Sequence, residues 1–120
     1  MSRAGAGKDG TRYPVTPDGR YFVARARLWR RTDPSLPEAR RQALVKDLMA
    51  ARRAVGRAGS EAETAAARRD VDRAKRSLGE RGPVWWDDGA PDEGGKHPKN
   101  TRYAEWWLGL SEAERTSGEG

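Results

Sequence analysis

The chain has 120 residues and no cysteine, a length that predicts about one domain. Alanine accounts for 18 residues, whereas leucine, valine and phenylalanine together number only 14 and isoleucine is absent. This composition excludes a large aliphatic core, and the lack of cysteine excludes disulfides and thiolate metal sites. Because no apolar stretch predicts a membrane span or a secretory signal, we expect a small cytoplasmic protein whose thin core depends on its 5 tryptophans.

The net charge of +6 is concentrated in the first half of the chain, where most of the arginines lie. A basic half favours polyanionic partners such as DNA or RNA. The high alanine and arginine content without isoleucine is also typical of GC-rich coding, which raises arginine content without any selection for binding. Both explanations of the charge stay open at the level of the sequence.

The predicted organisation is a disordered leader over residues 1–10, a single small domain over residues 11–110 and a tail over residues 111–120. The domain begins with a β-hairpin over residues 12–31, because Thr-Pro-Asp-Gly at 16–19 is a strong turn signal. The strand after this turn alternates between two faces. One face is apolar and contains Phe22, Ala24, Ala26 and Leu28; the other is mixed and contains Tyr21, Val23, Arg25, Arg27 and Trp29.

Two helices, over residues 36–55 and 61–78, follow as an antiparallel pair. Each is preceded by a Ser-x-x-Glu capping box, beginning at Ser35 and at Ser60. Gly79 and the Gly-Pro dipeptide that follows shortly after it end the second helix. Apolar residues at heptad spacing, many of them alanine, predict close packing of the two helices.

The last part of the domain is a Trp-rich segment over residues 83–110, with tryptophan pairs at 85–86 and 106–107. Asn100 or Thr101 is a candidate cap for a short helix within it. The predicted fold class is therefore α+β, with an N-terminal β-hairpin, an antiparallel helix pair and a Trp-rich C-terminal segment that contains a short helix.

Five segments, at residues 13–23, 28–30, 48–55, 78–92 and 100–106, resemble an uncharacterised family of small bacterial proteins. The resemblance covers roughly residues 12–107 and implies one folded unit across that span. It implies no activity. Such sequences are sometimes labelled automatically as Tol-type biopolymer transport proteins, but no membrane anchor, signal or β-propeller repeat is predicted here.

Arginine mixed with aromatic residues favours a small, basic, non-enzymatic accessory protein that binds nucleic acid and needs no cofactor. Lysine and arginine neutralise phosphates, and aromatic rings stack on bases. The candidate contacts lie on the mixed strand face and on the polar side of the first helix: Tyr21, Arg25, Arg27, Trp29, Lys46, Arg52, Arg53 and Arg57. No known nucleic-acid-binding motif accompanies them, and a solvated charged face is the simpler explanation of the helix charges.

A protein–protein interaction module, such as a homodimer formed through the helix pair, is the alternative function. A third candidate function is that of a small metal-dependent or carboxylate-dependent enzyme, since Asp87, Asp88 and Asp92 are candidate ligands for a hard cation. A polar turn whose aspartates cap loop amides or pair with nearby arginines explains this cluster more simply. His97, the only histidine, is predicted to be a solvated loop residue, and no catalytic residue is assigned.

Overall fold

The computed structural model describes residues 12–119, so the predicted leader lies outside the described residues. The described chain forms two compact units: unit 1 contains residues 12–31 and 88–119, and unit 2 is Thr32–Asp87. The predicted α+β class is confirmed, with an antiparallel hairpin, a helix pair and short C-terminal helices. None of the helices in the described part of the chain is long and apolar enough to cross a membrane.

The sheet of unit 1 is a hairpin of two strands, β1 (Tyr21–Ala24) and β2 (Arg27–Arg30). The chain turns at Arg25 and Ala26, whose φ angles are 55° and 61°. Two consecutive positive φ angles are the requirement of a type I′ turn, which normally uses Asn or Gly. Because neither residue signals such a turn, the sequence predicted one uninterrupted strand where the structure has two.

The turn predicted at residues 16–19 also forms, and the Gly19 amide donates to the Thr16 carbonyl at 2.9 Å. It connects Val15 to β1, and Val15 forms only a single bridge with Phe22 instead of part of a full strand. The predicted pairing around the turn at residues 16–19 is therefore limited to this bridge. The main strand pairing is between β1 and β2, which the turn at Arg25 and Ala26 connects.

The register of β1 and β2 decides which side chains are buried. Tyr21 pairs with Arg30 and Val23 pairs with Leu28, and all four residues are buried. Paired residues project from the same face of a sheet, so these four form the inner face. Of the predicted apolar face, only Leu28 is buried, because the turn at residues 25 and 26 breaks the alternation that the prediction assumed.

Unit 2 is built on two helices, α1 (Glu38–Arg57) and α2 (Glu61–Ser77), whose ends lie within two residues of the predicted ones. They pack against each other through a small hydrophobic cluster of leucine and alanine side chains. Its buried members are Leu44, Leu48, Ala74 and Leu78. The small residues allow close approach of the helices but bury little apolar area.

The two predicted capping boxes have different outcomes. Ser60 caps α2, since its hydroxyl accepts a hydrogen bond from the Glu63 amide at 3.1 Å. Ser35 does not cap α1, whose N-cap is Pro37 without a side-chain hydrogen bond. The hydroxyl and amide of Ser35 donate instead to the Asp33 carboxylate, at 2.7 and 2.8 Å, because an aspartate two residues upstream forms a local turn.

The end of α2 is a complete Schellman motif. The amide of Gly79 donates to the Arg76 carbonyl at 3.1 Å, and the amide of Glu80 donates to the Lys75 carbonyl at 2.9 Å. Gly79 has a φ of +83°, the left-handed conformation that this motif requires at the residue after the helix. The predicted stop of the helix at this glycine is confirmed.

Two short helices follow in the C-terminal part of unit 1, α3 (Ala104–Leu108) and α4 (Glu112–Arg115). Ser111 and Glu114 form a reciprocal capping box at the start of α4. The structure therefore places a capped helix within the segment predicted as a tail. The Ser-x-x-Glu signal at Ser111 is present in the sequence, although only four residues of helix follow it.

Gly79→Ala is expected to destabilise the protein by about 2–4 kcal/mol, from backbone strain and overpacking. A Cβ atom at Gly79 would lie 2.9 Å from the Asp33 Cβ and 3.0 Å from the Trp85 Cδ1. Gly56→Ala is the matched control: nothing lies within 4 Å of its Cβ, and removal of a helical glycine should stabilise by up to about 1 kcal/mol. Urea unfolding followed by tryptophan fluorescence measures both changes. An unchanged midpoint for Gly79→Ala would contradict the role assigned to this turn.

Candidate functional site

Three cations share the solvent side of α1 and are called the basic stripe: Lys46, Arg53 and Arg57. Spacings of seven and four residues place them on one face of the helix, opposite the side that buries Leu44 and Leu48. All three are exposed. None has a hydrogen bond or an ion-pair partner among residues 12–119.

The acidic residues of α1 do not neutralise the basic stripe. Glu38 pairs with Arg41 at 2.6 Å and accepts from Gln42 at 2.8 Å, and these hydrogen bonds lower the pKa of Glu38 to about 2. Asp47 lines a groove on another side of the helix, together with Ala51. The positive charge of the stripe is therefore presented to solvent.

Arg52, the fourth predicted cation of α1, lies apart from the stripe. It lines a cavity of about 370 Å³, called the flank cleft, together with four residues of unit 2: Val55, Arg68, Val71 and Arg81. Adjacent residues on a helix point in different directions, so Arg52 and Arg53 contribute to two different surfaces. The sequence analysis had assigned both residues to one nucleic-acid-binding site.

Tyr21 lies in the core of unit 1, and its burial corrects the prediction that it is a stacking residue. Its side chain is 0% exposed, and its hydroxyl accepts from the Glu93 amide at 2.7 Å and donates to the Asp92 carboxylate at 3.3 Å. Burial raises the pKa of Tyr21 to about 12. The ring edge contacts Tyr103 at 5.6 Å between centroids, so no face of the ring is open to a base.

The other hairpin candidates are exposed. Arg25 lies in the turn, and Arg27 donates to the Gly95 carbonyl at 2.8 Å. Trp29 is 45% exposed, and its indole nitrogen donates to the Ala24 carbonyl at 3.0 Å. These residues belong to unit 1, whereas the candidate cations of α1 belong to unit 2.

Two members of the acidic cluster, Asp88 and Asp92, support the structure of unit 1 through ion pairs. Asp88 pairs with Arg20, and Asp92 pairs with Arg30 at 2.8 Å, where the arginine side chain is only 4% exposed. The aspartates thus pair with hairpin arginines, but not with those predicted to bind nucleic acid. Asp87 is exposed. Within residues 12–119, no group of three histidine, aspartate or glutamate side chains converges as metal ligands, so the structure does not bring the three candidates together.

His97 has a structural position rather than that of a solvated loop residue. Its Nδ1 accepts a hydrogen bond from the Lys99 amide at 3.0 Å and caps the short 3₁₀ helix Pro98–Asn100. Its ring meets Trp107 edge-on at 5.8 Å. Burial, followed by the nearby charges of Lys99 and Arg27, lowers the pKa of His97, which favours the neutral ring that this cap requires.

Comparisons with protein-family models, curated proteins and solved structures gave no match for this chain. The resemblance to a family of small bacterial proteins therefore stays a prediction.

Tyr21→Phe is expected to cost about 1–3 kcal/mol of stability, because it leaves the buried Glu93 amide without its acceptor. Tyr13→Phe is the matched control, since Tyr13 contacts Phe22 through its ring at 5.2 Å and its hydroxyl has no hydrogen-bond partner in the described part of the chain. Thermal unfolding followed by circular dichroism measures both variants. Equal melting temperatures for the two would contradict the importance of the buried hydroxyl.

The ion pairs of unit 1 predict a loss of stability in acid. Arg20 lowers the pKa of Asp88. Burial alone would raise the pKa of Asp92, but hydrogen bonds from the Gly94 amide and from Arg30 lower it on balance. A carboxyl whose pKa is lower in the folded state stabilises the protein above its unfolded pKa of about 4, and this contribution disappears as pH falls through the folded value.

We therefore expect a melting temperature that declines slightly below about pH 6.5, because the folded state disfavours the protonated ring of His97, and that falls more steeply below about pH 4. Asp92→Asn should lower it at pH 7 and weaken its fall in acid. Asp87→Asn should change neither, since Asp87 has no ion pair among the described residues. An Asp92→Asn protein that is as acid-sensitive as the unmodified chain would count against this pairing.

Proposed function

We propose that the protein is a non-enzymatic accessory protein that binds the phosphate backbone of nucleic acid through the basic stripe of α1. The observation that supports this function is the position of Lys46, Arg53 and Arg57 on one exposed helix face, without a carboxylate partner in the described part of the chain. Cations that are not neutralised internally release counterions from nucleic acid when they bind, and this release drives association.

The dimensions of the basic stripe suit several phosphates. The helix rises about 1.5 Å per residue, so the 11 residue steps from Lys46 to Arg57 span roughly 16 Å along its axis. Duplex DNA carries one charge per about 1.7 Å of its axis, so a surface of this length can reach several phosphates. Three such contacts predict a salt dependence with a slope of about −3 on a double-logarithmic plot.

The hairpin of unit 1 offers a second type of contact. Trp29 has an exposed ring, and Arg27 lies two residues before it on the same face of β2. An aromatic ring beside an arginine can stack on an unpaired base while the guanidinium contacts its phosphate. This pair favours single-stranded over double-stranded nucleic acid, and its contribution can be measured separately from that of α1.

The test compares two triple variants that lose the same charge from the helix pair. Lys46→Gln/Arg53→Gln/Arg57→Gln removes the basic stripe. The control Arg40→Gln/Arg73→Gln/Arg76→Gln removes cations from other sides of the helices, and its two exposed ion pairs contribute little to stability. Fluorescence anisotropy with single-stranded DNA, duplex DNA and RNA at about 50 mM salt gives the affinities.

The unmodified protein should bind at least one probe, and binding should weaken steeply as salt rises. Loss of the stripe should weaken binding at least tenfold and reduce the salt slope by about 2 to 3, whereas the control should retain most of the affinity. Absence of binding to all three probes at low salt would refute the proposal, as would an equal loss in the control.

The contribution of the hairpin is tested with Trp29→Leu, which keeps an apolar side chain but removes the stacking ring. Binding of single-stranded DNA should fall at least about fivefold, since stacking contributes about 1–3 kcal/mol per base. Binding of duplex DNA should be unchanged. An equal effect on both probes would show that Trp29 supports the fold instead of contacting bases.

A further inference from the structure

The flank cleft brings cations from three segments of unit 2 to one cavity. Arg52 comes from α1, Arg68 from α2, and Arg81 from the turn that follows α2. Val55 and Val71 complete the lining. The volume of about 370 Å³ is within the range of small-ligand sites. The cleft therefore combines an apolar wall with three guanidinium groups.

The charges around the flank cleft are incompletely balanced. Lys75 is half-buried nearby, and burial together with the charges of Arg81 and Arg52 lowers its pKa, while Glu80 opposes this shift. Asp72 pairs with Arg81 at 3.1 Å but also with a second arginine of α2 at 2.7 Å. Neither Arg52 nor Arg68 has an ion-pair partner among residues 12–119. Two carboxylates, the shared Asp72 and Glu80, thus lie near four cations. The cations are Arg52, Arg68, Lys75 and Arg81.

Arg81 is held in place by the backbone around it. It follows the Schellman turn at Gly79, and the next residue, Gly82, has a φ of +77°. A Cβ atom at Gly82 would lie 2.9 Å from the Arg76 Nη1, so the chain passes close to the end of α2. The guanidinium of Arg81 is itself held by the Asp72 carboxylate, to which its Nη1 donates at 3.1 Å.

We propose that the flank cleft binds a phosphate monoester or a diphosphate group. A ligand with two or more negative charges would be attracted by Arg52, Arg68 and Arg81 and would offset the repulsion that Arg81 and Arg52 exert on Lys75. Guanidinium groups match the geometry of phosphate oxygens with paired hydrogen bonds. The site is separate from the basic stripe, since Arg52 and Arg53 point in different directions, and it does not depend on the proposed nucleic-acid function.

The probes for the test are inorganic pyrophosphate and inorganic phosphate, added to the full chain and measured by isothermal titration calorimetry. Arg52→Gln and Arg68→Gln remove one guanidinium each from the cleft. Arg40→Gln and Arg69→Gln are the matched controls, because they remove the same charge from exposed positions of the same helices, outside the residues that line the cleft. Circular dichroism checks that all four variants remain folded.

Pyrophosphate should bind, and each cleft variant should weaken its binding at least about tenfold, as expected for loss of a charge-assisted hydrogen bond. The controls should bind within about twofold of the unmodified protein, since distant exposed charges are screened by salt. No binding of pyrophosphate would overturn the proposal. An equal weakening in the controls would also overturn it, because it would indicate diffuse attraction to the whole surface.

A pair of short oligonucleotides, one with a 5′-phosphate and one with a 5′-hydroxyl, identifies the source of the phosphate group. A preference for the 5′-phosphate that disappears in Arg52→Gln supports binding of a nucleic-acid terminus. Equal binding of the two, with pyrophosphate binding retained, supports a free phosphate compound. Retained pyrophosphate binding in the variant without the basic stripe would show that the two sites are independent.

Discussion

The two-residue turn at Arg25 and Ala26 sets the register of the hairpin, and the register determines what unit 1 buries. It places Tyr21 and Arg30 side by side on the inner face. Buried polar groups are costly unless they are hydrogen-bonded, so both need partners. Asp92 supplies a carboxylate to each. Asp92, which the sequence suggested as a metal ligand, thereby accepts hydrogen bonds from the buried polar groups of Tyr21 and Arg30.

Unit 2 solves the shortage of large aliphatic residues differently. Its helices meet through alanines and a few leucines, so they can approach closely while their outer sides carry charge. The Schellman turn at Gly79 then directs the chain back, and the Asp33 amide donates to the Leu78 carbonyl at 2.9 Å. This arrangement leaves two basic surfaces on the helix pair: the basic stripe on the solvent side of α1 and the flank cleft beside it.

The two surfaces suit different anions because their cations are arranged differently. The basic stripe is linear and open, as an extended phosphate backbone requires. The flank cleft gathers cations around a cavity, as a compact and highly charged group requires. Arg52 and Arg53 are neighbours in the sequence but serve different surfaces, because one residue step along a helix rotates the side chain by about 100°.

The sequence by itself determined the α+β class, both long helices, the stop at Gly79 and the basic face of α1, because helical periodicity and glycine turns are local signals. Only the tertiary structure decided the hairpin faces and the fate of the acidic residues. The turn at Arg25 and Ala26 uses residues that rarely adopt positive φ, so no local sequence pattern predicted this turn. The flank cleft was likewise invisible, since Arg52, Arg68 and Arg81 are separated in sequence and meet only when α1 and α2 pack.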